Sequence, residues 1–175
     1  MYQKALKLLK KFYRPDQLFK HGFNLSPMYR RSVGRITEVS KDLYGVKVEI
    51  PLSYKNRNYA GSIFGGSLFA ATDPIYMIQL IYILGDDYLV WDKAATIRYR
   101  RPARQKAYAQ FLFSPEEIES IKQQIIENKE IDITKHLNLF GANGDVFAEL
   151  DKTIYIASKQ YYKEKLASRK GLKKQ

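Results

Sequence analysis

The chain has 175 residues, 45% of them apolar and 27% charged, which suits one globular domain with its own core and excludes an intrinsically disordered segment. It contains no cysteine. Disulfide frameworks, thiolate-zinc and iron–sulfur sites and a cysteine nucleophile are thereby excluded, and a reducing, cytoplasmic setting is expected. Two histidines far apart, His21 and His136, are too few for a multi-histidine centre, so no metal site is expected.

The net charge of +12 is unevenly placed. Residues 1–31 carry +7 and residues 159–175 carry +6, whereas residues 32–158 balance to −1. A nearly neutral middle with basic flanks separates the chemistry of the domain from whatever its ends touch.

Within Tyr2–Tyr13, Ala5, Leu8, Leu9 and Phe12 fall at helical spacing, with lysines largely off that stripe. This predicts a basic amphipathic helix ending near Arg14–Pro15, either packed on the domain or lying on an anionic membrane face. Lysines interrupt the apolar run too often for a signal peptide. Ser32–Val39 and Tyr44–Ile50 alternate with period two around Lys41–Asp42 and predict an antiparallel hairpin.

Pro51–Gly66 reads as a polar loop feeding Ser67–Leu84, a segment with almost no polar face. Such a segment predicts one long helix surrounded by protein. Asp73, Pro74 and Gln79 in its middle argue against a membrane span, where an ionisable group is costly. Pro74 cannot donate to the carbonyl of Ala70, so a kink is expected there.

Leu89–Arg101 and Lys106–Phe113 read as strands. Ser114-Pro-Glu-Glu117 opens a surface helix, with Ser114 as cap, Pro115 in the first turn and Glu117 at the capping-box position, and with a narrow stripe of Ile118, Ile121 and Ile125. Ile131–Phe140 and Asp145–Ala157 predict a hairpin around Gly141–Gly144. The expected organisation is residues 1–30 as amphipathic helix and lead-in, 31–157 as the main domain and 158–175 as a basic tail.

The block Asn58-Tyr-Ala-Gly-Ser-Ile-Phe-Gly-Gly-Ser-Leu-Phe-Ala-Ala-Thr-Asp73, followed by an apolar helix and Thr96-Ile-Arg-Tyr-Arg-Arg-Pro102, resembles the hotdog-fold acyl-CoA thioesterases of the phenylacetyl-CoA type. Asn58, Gly65, Gly66 and Asp73 match that family's spacing, and Phe64 stands where the family has histidine. Asn56-Arg-Asn58, Asp73-Pro74 and Val90-Trp-Asp-Lys-Ala-Ala95 are most similar to a branch known only as a domain of unknown function. The resemblance covers about residues 30–157. It implies an α+β hotdog fold, a curved antiparallel sheet wrapped around a long central helix, here with an extra N-terminal helix and a surface helix inserted between strands. It also implies dimers, or dimers of dimers, with active sites formed between subunits.

Thioester hydrolysis needs a nucleophile or a base for water, plus donors aimed at the oxyanion. The expected catalytic set is Asp73 as nucleophile or general base, Asn58 holding water or the substrate carbonyl, and the N–H groups of Gly65 and Gly66 as oxyanion donors. The structural alternative makes Asp73 an anion satisfied by a buried cation. Alternation from Trp91 places Lys93, Ala95, Ile97 and Tyr99 inward, so Lys93 is expected to pair with Asp73. Phe64, Ser67 and Lys93 are expected beside the substrate, with Arg98, Arg100, Arg101 and Arg104 near the nucleotide of coenzyme A, to which arginine's planar fork is suited.

No cofactor is expected, because coenzyme A would be part of the substrate. Two readings remain open: an acyl-thioester hydrolase, and a non-catalytic relative that binds acyl-CoA or fatty acyl ligands or serves as an oligomeric scaffold. The expected partners are a second copy, an acyl thioester and an anionic membrane surface at the basic tails. The chain carries no recognised nucleic-acid reader, so nucleic acid is not an expected partner.

Overall fold

A computed structural model describes residues 13–172. The expected helix over residues 2–13 therefore lies almost wholly outside the described residues. In chain order the elements are α1 (Pro15–Leu25), α2 (Pro27–Arg30), β1 (Arg35–Val39), β2 (Gly45–Ile50), α3 (Gly65–Ala70), α4 (Ile75–Leu84), β3 (Tyr88–Tyr99), β4 (Ala107–Leu112), α5 (Pro115–Asn128), β5 (Glu130–Phe140), β6 (Val146–Ser158) and α6 (Lys159–Leu172).

The six strands form one curved antiparallel sheet of order β1-β2-β4-β5-β6-β3. Alternation sets its inner face: Val46, Val48 and Ile50 on β2, Ala107, Ala109 and Phe111 on β4, and Ala148, Leu150, Ile154 and Ile156 on β6 are all buried. Ile75, Tyr76, Leu80 and Leu84 of α4 pack into that concavity. The Tyr76 ring meets Phe111 and Phe113 edge-on, with centroids 4.9 and 5.4 Å apart, a favourable arrangement of aromatic quadrupoles.

The expectation of one long helix over Ser67–Leu84 needs correction. The segment forms two helices separated at Ala71–Pro74, and the Asp73–Pro74 peptide bond is cis. Proline's missing N–H is the physical reason the first helix cannot run on. Nor is the segment wholly enclosed. Gly65–Leu84 has the length and hydropathy (mean 1.4) of a membrane-crossing helix, but half of it is buried in the fold, and Ile81 within it is exposed.

Three helices arise where none was expected, the four-residue α2 among them. Pro15 opens α1 rather than closing a helix, since proline's fixed φ suits a first turn, and α1 buries Leu18 and Phe19. The Asn24 amide then pairs with both backbone groups of Ile36 (2.8 and 2.9 Å) and so occupies part of the β1 edge. At the other end the basic run forms α6. The Ser158 hydroxyl accepts the Tyr161 N–H (3.1 Å), and Lys165 pairs with Glu130 of β5.

The inserted helix α5 follows its signals. Ser114 Oγ accepts the Glu117 N–H (3.1 Å), and Ile118, Ile121 and Ile125 are buried. Only half of the capping box forms, because the Glu117 carboxylate pairs with Lys135 of β5 (2.6 Å).

Candidate functional site

The loop before α3 is held by its asparagines. Buried Asn56 donates to Pro51 O (2.9 Å) and accepts from Ser53 N (2.9 Å), while its own carbonyl accepts the Phe64 N–H (2.7 Å). Asn58 closes a tighter turn: Oδ1 accepts the N–H groups of Ala60 and Ser62, and Nδ2 donates to Ser62 Oγ (3.0 Å). The side chain expected to hold water or substrate is thus engaged in shaping the loop.

That loop delivers the chain to α3 with Phe64 as its first flanking residue, 58% exposed. The N–H groups of Ser67 and Leu68 bond back to Phe64 O, which leaves those of Gly65 and Gly66 without an acceptor in the helix. A Cβ at residue 65 would sit 2.8 Å from the Tyr99 ring of β3, so glycine is what lets the helix start and that strand approach. Ser67 is half-buried within the same first turn.

At the far end of α3, Asp73 meets a cation, as the structural alternative required, but the cation is not Lys93. Lys152 of β6 is only 5% exposed and ion-pairs with Asp73, while its Nζ also lies 2.9 Å from Asp92 Oδ2 on β3. Its ammonium also stands 6.0 Å from the centroid of the Phe69 ring on α3. Asp73 remains 48% exposed and Asp92 21%. The other Asp92 oxygen, Oδ1, is buried with no hydrogen-bond partner among the described residues. Burial pushes the Asp92 carboxyl above its ordinary range; Lys152 opposes that rise and the neighbouring Asp73 charge adds to it.

The Lys93 expectation fails for a local reason. The β3–β6 register shifts between Asp92 and Ala94, a bulge that puts two residues against one. Asp92 therefore shares the inner face with Val90, and Lys93 swings outward, 56% exposed, to pair with Asp132. Beyond the bulge Ile97 packs on the core and Tyr99 reaches α3, as alternation predicts.

The arginines are largely committed to β6 and the turn before it. Arg98 bonds Asp151 (3.1 Å), Arg100 bonds Glu149 (2.6 Å) and Arg101 bonds Asp145 (2.6 Å); all three are exposed pairs. Arg104 is exposed and has no side-chain partner among the described residues.

Asp92 and Lys152 were missed in the sequence. A signal for Lys152 existed: it takes an inward position in the alternation Ala148, Leu150, Lys152, Ile154, Ile156, where a charge is out of place. None existed for Asp92, because a bulge leaves no residue pattern that alternation detects.

A curved six-stranded antiparallel sheet wrapped around a helix is the hotdog fold. Within it, residues 16–156 match the domain of unknown function DUF4442, and the chain belongs to that family. Among solved structures it is similar to a "probable thioesterase" of unknown function from Pseudomonas aeruginosa, at 23% identity and TM-score 0.72, covering 81% of this chain and 95% of that one. A protein of unknown function from Chlorobaculum tepidum follows at 16% identity and TM-score 0.64, covering 82% and 94%. A thioesterase from Haemophilus influenzae gives 12% identity and TM-score 0.59, covering 81% and 90%. No curated protein matches the chain.

Proposed function

We propose that this protein hydrolyses acyl-CoA-type thioesters, with Asp73 as the general base. The observation that carries the reading is a half-exposed carboxylate, held by a buried ammonium at a helix break, in a fold shared with thioesterases. Asp73 removes a proton from water as its oxygen bonds to the acyl carbon. The tetrahedral oxyanion forms beside the Gly65 and Gly66 N–H groups. Its collapse breaks the C–S bond, the thiolate leaves with the proton Asp73 had taken, and a carboxylic acid and a thiol are the products. Phe64 supplies an apolar wall where relatives of the phenylacetyl-CoA type have histidine, and Arg104, exposed and with no side-chain partner among the described residues, meets phosphate.

The working unit of this reading is a homodimer. The 12-residue strand β3 is an edge, with Trp91 and Tyr99 exposed along it, and Phe64 just before α3 and Ile81 on α4 are exposed too. A long edge that no strand among the described residues covers, with exposed apolar side chains, suits pairing with a second copy. Turnover of an acyl-CoA panel by the wild type, with loss of at least a hundredfold in Asp73→Asn, is the expected result. Equal rates in the two proteins remove Asp73 from the chemistry. Phe64 and the Lys152 clamp favour one second reading, a binder of acyl thioesters without turnover, which calorimetry showing saturable binding and no hydrolysis would select.

A further inference from the structure

Three charged groups from three elements converge at one point: Asp73 from the α3–α4 link, Asp92 from the β3 bulge and Lys152 from β6. We propose that Lys152 and Asp92 are positioning residues for Asp73, the ammonium pinning its carboxylate while the ionised Asp92 keeps that ammonium from neutralising it in full. This inference rests on the hydrolase reading above for its catalytic consequence, but the charge sharing stands on geometry.

A cation with a single anionic partner neutralises it and blunts its basicity. A cation between two carboxylates leaves the trio one negative charge, which a base requires. Burial gives this sharing its force, because Lys152 is almost wholly removed from water and two of its donors are taken by the aspartates. The orphaned Asp92 Oδ1 makes Asp92 the member that most readily accepts a proton. When Asp92 is protonated, the ammonium belongs to Asp73 alone; when Asp92 ionises, the two carboxylates divide it.

The other charged groups facing this point do not substitute for Asp92. Lys135 of β5, directly across from Lys152, is neutralised by Glu117 of α5, and Tyr76 of α4 is pushed up to about 12 by burial and so stays neutral at working pH. Lys93, next to Asp92 in sequence, is turned outward to Asp132.

Two measurements test the proposal. In steady-state kinetics with an acyl-CoA that the wild type hydrolyses, Asp92→Asn is expected to lower kcat at least tenfold with KM changed less than twofold, and Asp92→Glu to recover most of the rate. An unchanged kcat, or a change confined to KM, overturns the positioning role. Independently of turnover, the Asp92 carboxyl is followed by ¹³C NMR across pH. Its midpoint is expected to fall in Asp73→Asn, which removes the like charge, and to rise in Lys152→Met, which removes the cation. A midpoint that stays in place in Asp73→Asn overturns the sharing even if Lys152→Met does not fold. Wild-type turnover in Asp73→Asn together with a shifted Asp92 midpoint removes Asp73 from the chemistry and leaves the coupled trio standing.

Discussion

Replacing Lys152 with methionine makes a stability prediction whose size depends on pH. Methionine fills the same slot between Leu150 and Ile154 on the inner face of β6, so little packing is lost. Asp73, nearly half exposed, returns to water at small cost. Asp92 cannot, because one of its oxygens is already buried without a partner and Lys152 was the cation opposing its desolvation. Its cheapest escape is to take up a proton. For a carboxyl of ordinary pKa that costs at most about 4 kcal/mol at pH 7 and about 1.5 kcal/mol at pH 5.

The sign follows from linkage. A carboxyl whose folded pKa is raised holds a proton that the unfolded chain releases, so its contribution favours folding at low pH and is lost as pH rises through the folded value. Lys152→Met is therefore expected to lose about 3–4 kcal/mol at pH 7 and about 1 kcal/mol at pH 5, measured by urea unfolding followed by circular dichroism. In an Asp92→Asn background the same substitution is expected to cost about 1 kcal/mol at pH 7, a coupling of about 2–3 kcal/mol. Equal losses at the two pH values, or additive single and double variants, would refute the claim that Asp92 bears the cost.

Glu130 is held below its usual range first by Lys165 and then by the Tyr155 hydroxyl. A depressed carboxyl contributes stability above its ordinary pKa that is lost as pH falls through the folded value, so the melting temperature of Glu130→Gln should fall less steeply than wild type on acidification below about pH 4. Identical slopes would deny the contact any part in docking α6. Ser114→Ala removes the acceptor for the Glu117 N–H and should cost about 1 kcal/mol in chemical denaturation, with α5 exchanging its first-turn amides faster. Gly34→Ala brings a Cβ within 2.7 Å of Ala71 Cβ, an atom fixed to the backbone just before Asp73. It should cost about 1–3 kcal/mol, and a variant as stable as wild type would show that this approach is looser than described.

Elements with their own periodicity were legible one by one. The strands from β1 to β6 alternate, α5 announces itself through Ser114, Pro115 and its isoleucine stripe, and the spacing from Asn58 through Gly65–Gly66 to Asp73 carried the family resemblance. The helices α1 and α6 were hidden by ambiguous signals. Proline at Pro15 is compatible with an end or a beginning, and the charges after Ser158 describe a solvated helix as well as a tail.

Site partners were a different matter. Periodicity told that Asp73 was a lone acid in an apolar segment and therefore needed a counterpart, because a buried charge without one is too costly to survive. Which cation answered it, and that a second carboxylate joined them, was decided where β3 slips by one residue against β6 and exchanges Lys93 for Asp92 on the inner face. Local pattern carries information about which face a residue occupies, whereas a bulge and an ion-pair partner nearly eighty residues away along the chain (Asp73 to Lys152) exist only once the sheet has closed over the helices.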